Sequence, residues 1–180
     1  MQKLYYLDAN AIIKYSFYQE YLARHSQQEQ GVETVRSLIQ SQAGIFYCSN
    51  FALLECIHTL LKKYRDTEKC KVFGATRAEQ ERNIKSIIWK LRKSVTDSEL
   101  HMDMTPLTAH ILVSAQKLTY KYGIQKQAID SLDGIHLALV LELSEKNQQA
   151  VTLITSDEPM IKICENEGIA IFNPAKQSRM

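Results

Sequence analysis

Short apolar runs of strand length alternate with longer segments of helical periodicity along almost the whole chain, and this alternation restricts the fold more than any other feature. Lys3–Leu7 is an apolar run that stops at Asp8, and a helix follows from Ala11 to about His25. Val32, Val35, Leu38 and Ile39 recur at helical spacing across Val32–Gln42, Gly44 breaks the pattern, and Ile45–Cys48 reads as a second strand. Ser49 or Asn50 suits the N-cap of a helix over about Phe51–Tyr64. A third long helix, about Ala78–Ser94, carries Ile84, Ile87, Ile88 and Leu91 on one face. A weak strand at Leu100–Met104 precedes Thr105 and Pro106, a cap and first-turn proline for a helix that stops near Gly123. Ser131–Ser144 is helical, and Val151–Thr155 is a β-branched strand. Ser156 suits the cap of a helix over Pro159–Glu167 ending at Gly168, and Ile169–Phe172 is the last strand. The expected class is α/β, a three-layer α/β/α sandwich around a mainly parallel sheet. Such sheets bind ligands at the carboxyl ends of their strands, where the strand order reverses.

That rule sorts the acids. Most lie among other charges, as surface residues do, but four do not. Asp8 ends the first apolar run, Glu55 interrupts FALLECIHTLL, Asp133 interrupts SLDGIHLALVLEL, and Asp157 follows VTLIT after one serine. Two stand at strand ends and two near helix N-termini, which open onto the same edge of a parallel sheet. Converging carboxylates raise one another's pKa, and a divalent cation relieves the repulsion. Oxygen ligands of this kind suit Mg2+ or Mn2+, and magnesium favours one or two carboxylates plus a phosphate. The chemistry indicated is therefore phosphoryl transfer to water. Taken singly, each acid also reads as a cap, a turn residue or a complement to a helix dipole.

At 180 residues, 45% apolar and 23% charged, the chain suits one domain over 1–180. No run approaches the roughly 20 apolar residues that span a bilayer. MQKLYYLDANAIIKY carries no cleavage site of the signal-peptide kind, so a cytoplasmic protein without membrane association is expected. Cys48, Cys56, Cys70 and Cys164 show no C-x2-C spacing and read as reduced structural thiols. The net charge of +2 hides a local excess: eleven bases against four acids between Lys62 and Lys93, within a helical basic insertion at about 64–99. Attraction for a polyanion and an ordinary solvated helix fit that excess equally well.

Four segments resemble the PIN-domain nucleases, and more loosely the toxins of bacterial toxin–antitoxin pairs that use this domain. YLDANAIIKY is similar to the opening strand with its Asp, CSNFALLECIHTL to the Ser-to-Glu segment, LDGIHLALVLEL to the third motif, and LITSDEPMIKICENEGIAIFNP to the closing segment. The match falls on Asp133 rather than Asp130. The resemblance implies a metal-dependent endoribonuclease with Asp8, Glu55, Asp133 and Asp157 as its acidic set. Asp8 and Asp133 are the expected direct ligands of Mg2+ or Mn2+, with Glu55 and Asp157 acting through water. Asn10, Ser49 and Ser156 are expected to support the carboxylates from behind. An RNA substrate, an antitoxin partner and a homodimer are the expected associates. Two departures stand out: the extra length between Tyr64 and Glu99, and an amide at Asn10 where the family often has Thr or Ser.

Other readings compete. A catalytically inactive module of the same fold that binds RNA or protein has no need to keep four mutually repelling acids. A haloacid-dehalogenase phosphatase requires an Asp where Asn10 stands, and a receiver domain requires paired acids after its first strand. His136 and His58 each follow an acid of the set by three residues and are expected to be packing histidines. Tyr15, Tyr18 and Tyr21 form a stripe that favours packing or an interface over base stacking.

Overall fold

The computed structural model describes residues 2–22, 31–96, 102–125 and 129–176, with side chains at 2–16, 31–93, 105–125 and 129–176. Five strands, β1 (Lys3–Leu7), β2 (Gly44–Ser49), β3 (Met102–Thr105), β4 (Val151–Ile154) and β5 (Ile171–Phe172), pair in the order β3-β2-β1-β4-β5. Every ladder is parallel. Among the described residues, seven α-helices accompany them: α1 (Ala9–Leu22), α2 (Val32–Gln40), α3 (Asn50–Arg65), α4 (Arg77–Thr96), α5 (Ala109–Ile124), α6 (Ser131–Asn147) and α7 (Glu158–Glu167). A 3-10 turn at Lys69–Phe73 joins α3 to α4.

The period-2 alternation of β1 assigns the two faces. Tyr5 and Leu7 join Phe46 and Cys48 in a core with side chains of α1 to α4. Leu4 and Tyr6 join Tyr47, Val151 and Leu153 in a second core with α5, α6 and α7. Helices thus cover both faces, and the three-layer expectation holds. The basic segment is built into the first core, where Cys70, Phe73, Ile84, Ile87 and Leu91 are buried. Several of its bases pair locally, Lys69 with Asp66, Lys71 with Glu68 and Lys85 with Glu81, and Arg77 lies over the Tyr64 ring.

Three local expectations are corrected. Thr105 pairs with Ser49 as the last residue of β3, and Thr108, three residues on, caps α5 by accepting from the Ile111 amide. Asp157 rather than Ser156 caps α7. The first helix starts at Ala9, two residues earlier than its apolar pattern suggests. The stretch 23–30 falls outside the described residues, as do Leu100 and the side chains of Tyr18 and Tyr21. All four cysteines are buried and unbridged, as reduced structural thiols require. Among the described residues, no helix is long and apolar enough to cross a membrane.

The strand order places the switch point. From β1 the chain steps outward through β2 to β3, then returns to the other side of β1 as β4. The reversal lies between β1 and β4, whose last residues, Leu7 and Ile154, are partners in the ladder. Asp8 follows one strand, and Thr155, Ser156 and Asp157 follow the other.

Candidate active site

Asp8 is 3% exposed, in the angle between β1 and α1. Its backbone N–H reaches the Ile154 carbonyl oxygen at 3.4 Å, and its Oδ1 accepts from the Ala11 amide at 2.7 Å, so it starts α1 as well as ending β1. Thr155 donates a side-chain hydrogen bond to the carboxylate and accepts from the Asp157 amide at 3.1 Å. Thr155 therefore links the two strand ends. Burial raises the Asp8 pKa despite these hydrogen bonds, and the Glu55 charge pushes in the same direction.

Ser49, fully buried at the end of β2, caps α3 by accepting from the Ala52 amide at 3.0 Å. That cap sets the direction of α3 and brings Glu55, in its second turn, to the same edge. Glu55 Oε2 lies 2.8 Å from His136 Nε2, and His136 Nδ1 lies 3.0 Å from the Tyr6 hydroxyl. The Tyr6 hydroxyl in turn lies 3.0 Å from Ser49 Oγ. His136 is 2% exposed and packs between the rings of Tyr6 and Phe51. The packing expectation for His136 is half the account: the ring is buried, yet both nitrogens make polar contacts. His58 is exposed instead.

Asp133 stands three residues into a capping box. Asp130 accepts from the amides of Leu132 and Asp133, at 2.7 and 3.0 Å, and Asp133 Oδ2 accepts from the Asp130 amide at 3.1 Å. Asp130 is exposed and acts as the cap, while Asp133 is partly buried. Burial first, then the charges of Asp130 and Asp157, push the Asp133 pKa up to about 6. Asp157 Oδ1 accepts from the Met160 amide at 2.9 Å. Among the described residues, the other oxygen of each carboxylate makes no hydrogen bond.

Gly134 sets how deeply α6 sits. A Cβ there would stand 2.3 Å from Thr119 Oγ1 and 3.0 Å from the Ala115 carbonyl oxygen. The missing side chain lets α6 approach α5 closely, with Asp133 and His136 on either side of the contact. Ser156 accepts from Lys14 Nζ at 2.9 Å, and Lys14 is 5% exposed. This buried lysine carries no signal in the sequence, where it is one more base on a helix. Asn10 is exposed, and its side chain makes no hydrogen bond to a described residue.

The acids influence one another in two pairs, Glu55 with Asp8 and Asp157 with Asp133. Among the described residues, no group of three or more His, Cys, Asp or Glu side chains is arranged to hold an ion as it stands. The donor set nonetheless suits a hard divalent cation. Burial, with a neighbouring acid pushing the same way, raises Asp8 and Asp133, and Asp133 and Asp157 each keep one oxygen uncommitted among the described residues. Asp8 and Asp133 would hold it, with Glu55 and Asp157 nearby.

Comparisons with known proteins bear on the fold and the family. No curated protein matches the chain. Among solved structures, FitAcB from Neisseria gonorrhoeae is similar in fold, with a TM-score of 0.55 at 15% identity, over 95% of this chain and 98% of that one. VapBC2 from Rickettsia felis, bound to a DNA fragment from their promoter, gives a TM-score of 0.49 at 11% identity, over 94% and 98%. The family description for the PIN domain matches residues 5–166, from the middle of β1 almost to the end of α7, and the chain belongs to the PIN domain family.

Proposed function

We propose that this chain is a metal-dependent endoribonuclease whose site is the edge carrying Asp8, Glu55, Asp133 and Asp157. One observation carries the reading: a buried carboxylate, Asp8, stands at the switch point with its pKa raised. Burying a carboxylate is costly, here even with hydrogen bonds from Ala11 and Thr155, and a bound cation offsets that cost. When bound, Mg2+ or Mn2+ supplies activation of water and stabilisation of the leaving oxygen. The chain's own residues do the rest. Asp8 and Asp133 bind the ion. Glu55 and Asp157 hold and orient water at the rim. Ser49 fixes α3 and Ser156 holds Lys14. That contact brings a basic side chain to the residues that follow β4.

The RNA substrate rests on the family resemblance of the four segments, and so does the partner, an antitoxin protein that covers the edge. The test is cleavage of RNA by purified wild-type protein with Mg2+ or Mn2+, with excess chelator as the control. The expected result is cleavage that the chelator abolishes. An inactive binding module would retain RNA and leave it uncut, with or without metal.

A further inference from the structure

The contacts around His136 run in one direction, which follows from the chemistry of the groups. A carboxylate only accepts, so the 2.8 Å contact to Glu55 makes His136 Nε2 the donor. Ser49 Oγ already accepts from the Ala52 amide. Burial holds the Tyr6 phenol well above its ordinary pKa, so its proton is in place. All donors find an acceptor in a single arrangement. Ala52 N–H donates to Ser49, the Ser49 hydroxyl donates to Tyr6, the Tyr6 hydroxyl donates to His136 Nδ1, and Nε2–H donates to Glu55. With the ring proton on Nδ1 instead, a bare nitrogen would face a carboxylate oxygen. One of the two hydroxyls, Ser49 or Tyr6, would then have no acceptor among the described residues.

We propose that His136 is a positioning residue: it clamps the Glu55 carboxylate at the rim of the acidic edge, and the buried relay of Ser49 and Tyr6 fixes its Nε2–H tautomer. The functional part rests on the metal-site reading above. Glu55 is 26% exposed at its side chain and sits on a helix face that opens to solvent. Without Nε2–H it is free to turn outward, away from the cation. A histidine that merely packs would tolerate an apolar replacement, and a clamp would not. Groups that orient metal-binding side chains from behind typically account for about 10–100-fold in metal affinity.

The test has two readouts, one of them independent of activity. Long-range proton–nitrogen correlation spectra of histidine-labelled protein, assigned against His136→Gln, should show the neutral Nε2–H tautomer. A proton on Nδ1 overturns the proposal. Calorimetric titration with Mn2+ should give a Kd about 10–100-fold weaker in His136→Leu. His136→Gln, whose amide still donates to Glu55, should recover most of the affinity. Tyr6→Phe should fall between the two and lose the single tautomer. In RNA cleavage the half-saturating Mn2+ concentration should rise in the same order. Wild-type Mn2+ affinity in folded His136→Leu, or no Mn2+ binding by wild-type protein, contradicts the clamp. Mn2+ binding with the expected order but no RNA cut would sink the ribonuclease reading alone.

Discussion

On one side of the switch point Asp8 and Glu55 each take a side-chain partner far away in the chain, and on the other Asp133 and Asp157 are tied only to amides three positions off. Glu55 takes its partner 81 residues on, at His136, and His136 takes its second partner 130 residues back, at Tyr6. Asp133 and Asp157 are each tied to an amide within three residues, as parts of helix caps. The distant ties are buried in the core that α6 shares with the sheet, so they exist only when the whole fold does. The local ties form with the helices themselves. The buried half is therefore a property of tertiary structure. The capped half is a property of two helix N-termini, where the dipole favours negative charge and one oxygen of each carboxylate stays available.

The largest effect expected is on the buried half. Asp8→Asn should reduce RNA cleavage to background, measured with excess Mn2+, without lowering the melting temperature at pH 7. Asparagine keeps an acceptor for the Ala11 amide and removes a charge whose burial is unfavourable. Gly134→Ala should disturb both halves, because α6 carries Asp133 and His136. Overpacking of this kind typically costs about 1–3 kcal/mol, against a gain of up to about 1 kcal/mol in helix propensity. A net loss in denaturant unfolding is expected, and a more stable variant would refute the close approach.

Asp157 separates capping from charge. Asp157→Ala should lose about 1 kcal/mol with the cap, whereas Asp157→Ser should keep the cap and the stability. Both should lose cleavage alike, by about 10–100-fold. If the serine variant cuts at the wild-type rate, Asp157 is a cap and nothing more.

The smallest effect is a pH dependence. Asp133 is raised from 3.8 to about 6, so the folded state binds the proton more tightly than the unfolded chain does. Its contribution to stability is full below 3.8 and is lost as pH rises through about 6. Asp133→Asn should therefore melt higher than wild type at pH 7 to 8 in metal-free buffer, and the difference should vanish near pH 4. Saturating Mg2+ should narrow the gap at pH 7, because only the wild type gains a bound ion.

The same division explains what was legible in the sequence. Asp8 stands out because one charge ends an apolar run, and the capping serine at 49 stands out because it precedes a helical pattern. The alternation of elements was enough for the parallel three-layer class. The caps were legible to within a few residues only. Ser156 and Asp157 are both competent caps, as are Thr105 and Thr108, and the strand ladders decide between them. The Tyr6–His136–Glu55 contacts were not legible, because Tyr6 looks like any strand aromatic and its target lies on another element. Lys14 was hidden in the same way, its partner Ser156 lying far along the chain.

Anomalous diffraction from crystals soaked in Mn2+ tests the central claim most directly, that the buried and the capped halves serve one cation. A single strong site bridged by the Asp8 and Asp133 carboxylates is expected, with Glu55 still on His136. A site held by Asp133 and Asp157 alone, with Asp8 uninvolved, or no ordered Mn2+ at this edge, would contradict it.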